Sequence, residues 1–378
     1  MLNGLYAAAA CCYAAGILVL WAGLLRLAKF TPVRKDCPTV TVVIPARNEE
    51  KNINACLDAL VKQRYPSSRY EIIVVDDQST DKTPDIIKNY AEKFKNIHYL
   101  QLLDPGHRSP KKAAIDKAVQ RSKSELIFTT DADCTVPIEW LSTMTAYFDD
   151  HVAAAASWLL VSPGQQWYQQ VEALDSCSFV LVGAAAFGLN RPVLANGANF
   201  AYRRSAFINS GGFSGNDEFA SGDDDLLLQK MCKHSGCCVF VNDIQAAVST
   251  PANSRVSDFL KQRLRWASKT RAYSLPLQLL EIAVYLFICM LVTGPFVVIC
   301  TLLKIRTFLL VLSVKCLLDY FFIRYGCALV NKKPKIIFFC IAQILQNAYI
   351  AVVGFWGAVG QYEWKGRTYR QGKIQKKD

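Results

Sequence analysis

Two aspartates one residue apart, Asp131 and Asp133, directly follow a short apolar run. If the residue between them lies in a turn, both carboxylates can face one cleft. Hard oxygen ligands of this type suit Mg²⁺ or Mn²⁺, and the oxygens of a diphosphate and of water would complete the coordination. Because Asp is also common in turns, this motif alone is only weak support for a metal site.

Two further polar segments also follow apolar runs. Asp76 and Asp77 end one run, and the segment 45–49, Pro-Ala-Arg-Asn-Glu, ends another. A carboxylate at such a position could accept hydrogen bonds from a base or a ribose. The alternative is a turn before a helix, with one of residues 79–81 as the N-cap. Three polar segments in comparable places favour a binding site.

The elements around these segments follow an alternating pattern between Pro38 and about Leu275. Buried strands are predicted at 39–44, 70–75, 97–102 and 125–129, and helices at 50–64, 82–94 and 111–122. Strands that alternate with helices in this way predict an α/β domain with a mostly parallel sheet. Ligands bind such sheets at the carboxyl ends of the strands, which is where the polar segments lie.

The ordered motifs resemble those of the family 2 glycosyltransferases, which are inverting enzymes with the GT-A (Rossmann-like) fold. The resemblance runs from about Val40 to Trp266. It comprises Val-Val-Ile-Pro-Ala-Arg-Asn-Glu-Glu at 42–50, Val-Val-Asp-Asp-Gln-Ser-Thr-Asp at 74–81, Asp-Ala-Asp at 131–133, Gly-Ala-Asn-Phe-Ala-Tyr-Arg-Arg at 197–204, Gly-Asp-Asp-Asp-Leu at 222–226 and Gln-Arg-Leu-Arg-Trp at 262–266.

The resemblance implies a nucleoside pocket and assigns residues to it. The pocket would be lined by Pro45, Arg47, Glu49 and one of Asp76 or Asp77. The donor would accordingly be a nucleotide-sugar, with a UDP-sugar as the first expectation.

The same resemblance implies that Asp131 and Asp133 hold the metal, Mg²⁺ or Mn²⁺, and that Asp131 also meets the donor diphosphate. Lys112 lies where the family has a basic residue near the donor, although the surrounding Pro-Lys-Lys-Ala matches loosely.

The family's general base is the aspartate of a Glu-Asp pair that a leucine or similar residue follows two positions later. Residues 223–227 of this chain are Asp-Asp-Asp-Leu-Leu. Asp224 matches the base best, with Asp223 in place of the glutamate and Asp225 as the alternative. A helix N-terminus stabilised by acidic residues is a second interpretation, and it is compatible with catalysis.

Gln262, Arg265 and Trp266 match the Gln-x-x-Arg-Trp signature of the membrane-integrated members of the family. Helical spacing would place them on one face, where Arg265 could meet diphosphate charge and Trp266 could form a wall for the acceptor. An amphipathic interfacial helix near 255–275 is also expected, with Arg263 and Arg271 at lipid headgroups.

The chain is also predicted to be embedded in a membrane. Three uncharged runs, Leu5–Leu25, Ile282–Leu303 and Ile336–Gly360, are each long enough to cross a bilayer. A further apolar stretch at 308–330 contains three charged residues, so it either crosses or lies at the interface. The predicted organisation is an anchor at 1–30, a catalytic domain at 38–275, a membrane region of two or three spans at 279–360 and a basic tail at 361–378.

Basic residues follow the first apolar run at Arg26, Lys29, Arg34 and Lys35. By the positive-inside rule they predict an uncleaved anchor and a cytoplasmic catalytic domain, in the inner membrane if the source is bacterial. A signal peptide would instead carry positive charge before its apolar core. The net charge of +12 suits anionic lipid headgroups, and without a nucleic-acid motif no nucleic-acid partner is expected.

The expected function is therefore that of a membrane-bound hexosyltransferase that uses a lipid or lipid-linked glycan as acceptor at the cytoplasmic face. A processive polysaccharide synthase is the first alternative, because the Gln-x-x-Arg-Trp signature also marks chain-elongating synthases. A sugar-nucleotide-binding membrane protein without activity is the second.

Overall fold

The computed structural model describes residues 1–27, 32, 36–103, 108–364, 366–370 and 372–374. Its α-helices are α1 (Leu2–Leu27), α2 (Ile53–Val61), α3 (Thr83–Lys93), α4 (Pro110–Arg121), α5 (Trp140–Thr145), α6 (Trp167–Gly188), α7 (Arg204–Asn209), α8 (Asp225–His234), α9 (Val256–Ala267), α10 (Leu275–Ile299), α11 (Ile305–Leu329) and α12 (Ile336–Val359). Its strands are β1 (Val40–Ala46), β2 (Tyr70–Asp76), β3 (Ile97–Gln101), β4 (Leu126–Thr129), β5 (Val152–Ser157), β6 (Leu159–Ser162), β7 (Phe200–Arg203), β8 (Cys237–Val241), β9 (Val248–Pro251), β10 (Gln361–Trp364), β11 (Arg367–Arg370) and β12 (Lys373–Ile374).

Within the described residues, seven strands form the main sheet in the order β3-β2-β1-β4-β7-β5-β8. The neighbours among β1 to β4 pair in parallel, β5 and β8 also pair in parallel, and β7 runs antiparallel to β4 and β5. Parallel neighbours end at the same edge, so β1, β2 and β4 bring their following loops together. The predicted mostly parallel α/β fold is confirmed.

Strands β1, β2 and β4 are mostly apolar because helices cover both faces of the sheet. Side chains of β1 alternate between the two sides, as the pleat requires. Val42 and Ile44 join the core under α2 and α5, whereas Val43 joins the core shared by α4 and α6. All three are fully buried. The second core continues into α1 and α11, so the apolar helices and the sheet are packed as one body.

Among the described residues, four helices are long and apolar enough to cross a membrane, namely α1, α6, α10 and residues 336–357 of α12. Helices of this kind at both ends of the chain confirm that part of the predicted architecture. The apolar character of α6 was not predicted. Half of its apolar window is buried in the protein, against 22% for each of the other three. We therefore describe α6 as an internal helix between the sheet and the apolar bundle.

The close packing of α1 on α6 depends on two glycines. A Cβ on Gly188 would lie 2.0 Å from the carbonyl oxygen of Gly23, and one on Gly23 would lie 2.2 Å from that of Ala185. Neither position tolerates a side chain unless the helices move apart. Small residues at such a crossing allow the two backbones to touch.

The charged residues of α11 lie inside the helix bundle and are paired. Lys315 Nζ is 2.9 Å from Asp319 Oδ2 and donates to Gln343 Oε1 of α12 at 2.5 Å. Tyr13 of α1 donates to Asp319 Oδ1 at 2.6 Å. Charges in an apolar environment are tolerated when they are paired in this way. The contacts therefore allow α11 to lie beside α1 and α12 despite its charges.

The described residues of the predicted basic tail are folded. β10, β11 and β12 form an antiparallel sheet, in which Tyr362 and Tyr369 stack with ring centroids 5.5 Å apart. The Tyr362 hydroxyl lies 3.0 Å from Ser268 Oγ at the end of α9. We call the described residues between 361 and 374 the C-terminal hairpin. Of the basic residues used for the orientation prediction, Lys29, Arg34 and Lys35 lie outside the described residues.

Candidate active site

The first part of the site lies where β1 and β2 end side by side, with Ala46 opposite Asp76. Arg47 donates to the carbonyl oxygen of Asp77 at 2.7 Å, and its guanidinium lies 3.6 Å from Asp77 Oδ2. Asp76 Oδ1 accepts from the amide of Ser79 at 3.2 Å. Both aspartates are almost fully buried. Asp77 therefore presents a carboxylate to an otherwise cationic corner.

The loops after these two strands hold each other. Asn48 and Gln78 adopt positive φ angles of 53° and 55°. The Asn48 side chain accepts from the amide of Thr80 at 2.8 Å, and Glu49 accepts from Asn52 at 2.9 Å. Glu49 is thus engaged at the start of α2, and Pro45 lies half-buried within β1.

The predicted N-cap among residues 79–81 is wrong, because Lys82 holds that position and makes no side-chain cap, but Asp81 does contact the start of α3. Asp81 Oδ1 accepts from the amide of Thr83, the first residue of α3, at 3.0 Å, and Oδ2 accepts from the amide of Glu50 at 3.1 Å. Asp81 therefore stabilises the start of α3. Asp76 and Asp77 are outside this interaction, and Asp77 contacts Arg47 in the loop after β1.

Lys111 connects the Asp-x-Asp motif to the acidic run at 223–225. Its ammonium lies 2.7 Å from Asp131 Oδ1 and 3.0 Å from Asp223 Oδ2. Burial alone would lower the pKa of Lys111, but Asp131 and Asp223 raise it, so the side chain stays charged. Two motifs that are far apart in the sequence therefore share one cation in one cleft.

Lys112, the basic residue that the resemblance implied, has a different environment. It is fully buried, it donates to the carbonyl oxygen of Asn216 at 2.6 Å, and burial lowers its pKa to about 8. Consecutive residues of a helix point in different directions, so only one of the two lysines can reach Asp131. The structure gives that contact to Lys111.

The three adjacent aspartates have distinct surroundings. Asp224 is the N-cap of α8, where Oδ1 accepts from the amide of Asp225 at 2.7 Å and Oδ2 from that of Gly197 at 2.9 Å. Burial raises the pKa of Asp224. Its side chain is 16% exposed, against 4% for Asp223 and 0% for Asp225. Asp224 is therefore the most accessible of the three to a ligand.

Asp225 is engaged within the protein. Its Oδ2 lies 2.5 Å from the ammonium of Lys269 and accepts a hydrogen bond from the Tyr273 hydroxyl. Its Oδ1 accepts from the amide of Leu226 at 2.8 Å. These contacts tie the start of α8 to the segment that follows α9, which is a structural role.

Gly197 is required by the close approach of charged side chains. A Cβ at this position would lie 2.6 Å from Asp223 Oδ2 and 3.3 Å from Lys111 Nζ. The Gly-Ala-Asn motif at 197–199 therefore serves the site through its first residue. Its Asn199 is buried and holds Trp140 through a 2.9 Å hydrogen bond, so it supports the core.

The Gln-x-x-Arg-Trp residues lie on α9 but do not share one environment. Arg265 donates to Ser221 Oγ at 3.2 Å, just before the acidic run. Gln262 accepts from Asn253 at 3.5 Å, whereas Trp266 packs edge-on against Phe179 of α6, with ring centroids 5.8 Å apart. Of these three, Arg265 has the contact with the loop that carries the acidic run.

The expectation that Arg263 lies at lipid headgroups is wrong. Arg263 is only 3% exposed, and its guanidinium lies 2.6 Å from Asp175 Oδ2 on α6. The rings of Phe259 and Trp266 flank it, with centroids 4.7 and 4.3 Å from the guanidinium carbon. The reason is that α6 places a buried carboxylate beneath α9, and an Arg is the side chain that can pair with it there.

Arg367 of the C-terminal hairpin is a site residue that the sequence interpretation missed. Its guanidinium binds Asp77 through both oxygens, at 2.5 Å (Nη1 to Oδ2) and 2.9 Å (Nη2 to Oδ1). One signal was present in the sequence, because two short runs with aromatic residues, 361–364 and 367–370, flank Gly366 in the manner of a hairpin.

The carboxylates of the Asp-x-Asp motif can supply part of a metal site. Among the described residues, no group of three or more His, Cys, Asp or Glu side chains is placed to hold a metal. Asp131 and Asp133 are nevertheless two hard carboxylates, and the side chain of Asp131 is 37% exposed. They fit a divalent cation that takes its other ligands from a diphosphate and water.

Comparison with known proteins identifies the domain. Residues 41–216 match the family model described as glycosyl transferase family 2. This segment, just under half of the chain, is therefore similar to the family 2 glycosyltransferases. Among its relatives is the probable glycosyltransferase YdaM of Bacillus subtilis, 37% identical over 110 residues, which are 29% of this chain and 26% of the relative.

The similarity to other proteins extends beyond the family 2 domain. The β-monoglucosyldiacylglycerol synthase of Nostoc is 26% identical over 241 residues, which are 62% of this chain and 49% of that protein. The matches thus span a quarter to half of these curated relatives. The mannosyltransferase PcManGT of Pyrobaculum calidifontis, solved with GDP-Man and Mn²⁺, has a TM-score of 0.61 at 18% identity, covering 94% of this chain and 99% of that one. This likeness confirms the GT-A fold.

Proposed function

We propose that this chain is a membrane-bound inverting glycosyltransferase that transfers a sugar from a nucleotide-sugar to a lipid or lipid-linked acceptor. The observation that carries the proposal is the bridge made by Lys111 between Asp131 and Asp223. It puts Asp131, one of the two acids suited to the metal ion of a diphosphate, in one cleft with the acidic run that contains Asp224, within the segment that matches family 2 or directly after it.

The donor nucleoside would bind where β1 and β2 end. Asp77 is a buried carboxylate that can accept hydrogen bonds from a base or a ribose, and Arg47 keeps it in a cationic environment. Pro45, Glu49 and Asp76 surround the same edge. We expect a UDP-sugar. The structural neighbour PcManGT was solved with GDP-Man instead, so the donor of this chain is to be found with a panel.

The leaving group would be stabilised by charges that lie together in the cleft. Mg²⁺ or Mn²⁺ held by Asp131 and Asp133 would neutralise diphosphate charge as the sugar departs. Lys111, which pairs with Asp131, would add a further positive charge beside a diphosphate bound there. Arg265, which contacts the loop at Ser221, adds a planar cation that suits phosphate oxygens.

Asp224 is our proposed general base. It would accept the proton of the acceptor hydroxyl while the acceptor oxygen bonds to the anomeric carbon and the bond to the diphosphate oxygen breaks. Burial raises the pKa of Asp224, which makes it a stronger base than an ordinary aspartate. A single displacement inverts the anomeric centre, so an α-linked donor gives a β-linked product.

The acceptor is proposed to be a lipid because the family 2 domain is packed directly on apolar helices. α6 contributes to the core of the domain and also contacts α1 and α11. Outward-facing apolar residues of α10 and α12 are exposed, as expected of helices in lipid. A relative is named a synthase of a glucosylated diacylglycerol, which supports a lipid hydroxyl. We place the domain at the cytoplasmic face.

A donor panel with membrane lipid extract tests this proposal. Detergent-purified protein is incubated with UDP- and GDP-sugars, Mn²⁺ and the extract, and the lipids are examined by mass spectrometry. We expect one lipid species to gain the mass of one sugar with one donor, and Asp224→Asn protein to give none. A ladder of sugar additions would instead indicate a processive synthase. If no donor gives either transfer or hydrolysis, the proposed enzymatic role is contradicted.

A further inference from the structure

The C-terminal hairpin touches three parts of the site that are otherwise separate in the chain. Its Arg367 binds Asp77 after β2. Its Tyr362 meets Ser268, two residues beyond Trp266. The carbonyl oxygen of Gly372 accepts from the amide of Ala220, directly before the loop that leads to Asp223. The hairpin therefore contacts the end of β2, where the nucleoside is proposed to bind, the end of α9 and the loop before the acidic run.

These contacts are built into the protein rather than lying on its surface. Tyr362 and Tyr369 are buried, and the side chains of Arg367 and Asp77 are only 17% and 9% exposed. A basic tail bound to lipid headgroups would leave its cations in water. Arg367 instead donates from both terminal nitrogens of its guanidinium to one carboxylate. This bidentate geometry adds directional specificity to the salt bridge.

The pairing leaves Asp77 able to bind a ligand. An ionised carboxylate offers about four acceptor positions, and a bidentate arginine takes two of them. The other two can accept hydrogen bonds from a base or a ribose, because Arg47 Nη1 stays 3.6 Å from Oδ2. Because Arg367 holds both oxygens, the carboxylate is also fixed in one orientation before the donor arrives, which reduces the entropy lost on binding.

We propose that the C-terminal hairpin is a fixed wall of the donor site and that Arg367 is a positioning residue that orients Asp77 toward the donor nucleoside. This inference rests on the proposed function, since it takes a nucleotide to be the ligand at Asp77. It assigns to the C-terminal hairpin a role in substrate binding instead of membrane attachment.

The test measures nucleotide affinity with the full chain in detergent. UDP and GDP, each with Mn²⁺, are titrated by calorimetry into wild type, Arg367→Ala, Arg367→Lys and the matched control Arg370→Ala. Arg370 is an exposed cation on the same strand, β11. Donor KM and kcat are measured alongside for the sugar nucleotide that the panel selects. Thermal unfolding of each variant shows whether it is folded.

We expect Arg367→Ala to weaken binding of the preferred nucleotide about tenfold or more, from the loss of a charge-assisted bidentate pair. Donor KM should rise more than kcat falls. Arg367→Lys should lie in between, because an ammonium cannot form the fork, and it carries the test if the alanine variant does not fold. Arg370→Ala should bind within about twofold of wild type, as expected of a solvated surface cation.

A double variant separates positioning from direct contact. If Arg367 acts through Asp77, Asp77→Ala with Arg367→Ala should bind no more weakly than Asp77→Ala alone. A further loss in the double variant would mean that Arg367 touches the nucleotide itself, and it would overturn the positioning role.

Two other results would overturn the inference. Equal binding by wild type and Arg367→Ala would show that the hairpin does not serve the donor site. Tighter binding by Arg367→Ala would show that the arginine competes with the nucleoside for Asp77. A wild type that binds neither UDP nor GDP would refute the proposed function as well, so the two failures are distinguishable.

Discussion

Asparagine substitutions in the run Asp223-Asp224-Asp225 should separate stability from turnover. Asp225 is wholly buried, 2.5 Å from the ammonium of Lys269, and accepts from Tyr273. Removing one partner of a buried ion pair costs about 3–5 kcal/mol. Asparagine keeps the size and one acceptor, and Asp224 at 3.9 Å still faces Lys269, so we expect about 2–3 kcal/mol for Asp225→Asn. The unfolding temperature should fall by several degrees.

Asp224→Asn should show the opposite pattern. Asparagine is as good an N-cap as aspartate, but its one oxygen can replace only one of the two acceptors used by Asp225 and Gly197, so we expect a loss of about 1 kcal/mol. Turnover should fall by roughly two to four orders of magnitude while nucleotide affinity stays near wild type. Asp223→Asn should be milder, because its carboxylate pairs with Lys111.

Two measurements are made on each variant in detergent. Tryptophan fluorescence monitors unfolding, and initial rates report sugar transfer. A stable but inactive Asp225→Asn protein that still binds nucleotide would show that the base assignment is off by one residue. If all three variants stay active, the base lies elsewhere and our interpretation of this motif is refuted.

Four further outcomes are expected. Chelation should abolish transfer until Mn²⁺ or Mg²⁺ is restored, and Asp133→Asn should be inactive but folded; full activity in chelator would contradict this. Turnover should fall with decreasing pH through a pKa above the ordinary 3.8, because burial raises the pKa of Asp224; an unshifted acid limb would argue against it. Arg263→Ala should lower the unfolding free energy by about 3–5 kcal/mol, because it leaves the buried Asp175 without this cation. The double variant Arg263→Ala with Asp175→Asn should be destabilised less, and unfolding of both proteins checks this. A tag before Leu5 should be protease-accessible only from outside the cytoplasm.

The elements of the sheet could be predicted because their sequence pattern is local. The run at 39–44 is β-branched throughout and the run at 70–75 ends in four β-branched residues, as expected of strands covered on both faces, and the structure has β1 and β2 there. The Asp-x-Asp motif could be named as a site candidate because it directly follows a strand, and the acidic run because it resembles the Glu-Asp pair of the family.

The features that were missed depend on long-range partners. Arg263 looked like an interfacial cation because its ion-pair partner, Asp175, is distant in the sequence and nothing near Arg263 indicates that α6 packs against α9. Lys111 and Lys112 are adjacent, and only the orientation of α4 decides which one pairs with Asp131. The C-terminal hairpin looked like a basic tail because the local sequence shows its positive charges but not its contacts. The sheet is held by contacts with Ser268 and other distant residues.

The linkage of the product, measured with and without the proposed base, tests the central claim most directly. Wild-type protein is given the α-linked donor that the panel selects, and the anomeric configuration of the glycolipid is read by NMR. We predict a β-linked product from wild type and none from Asp224→Asn protein that still binds the nucleotide. An α-linked product, or wild-type turnover by Asp224→Asn, would contradict the account.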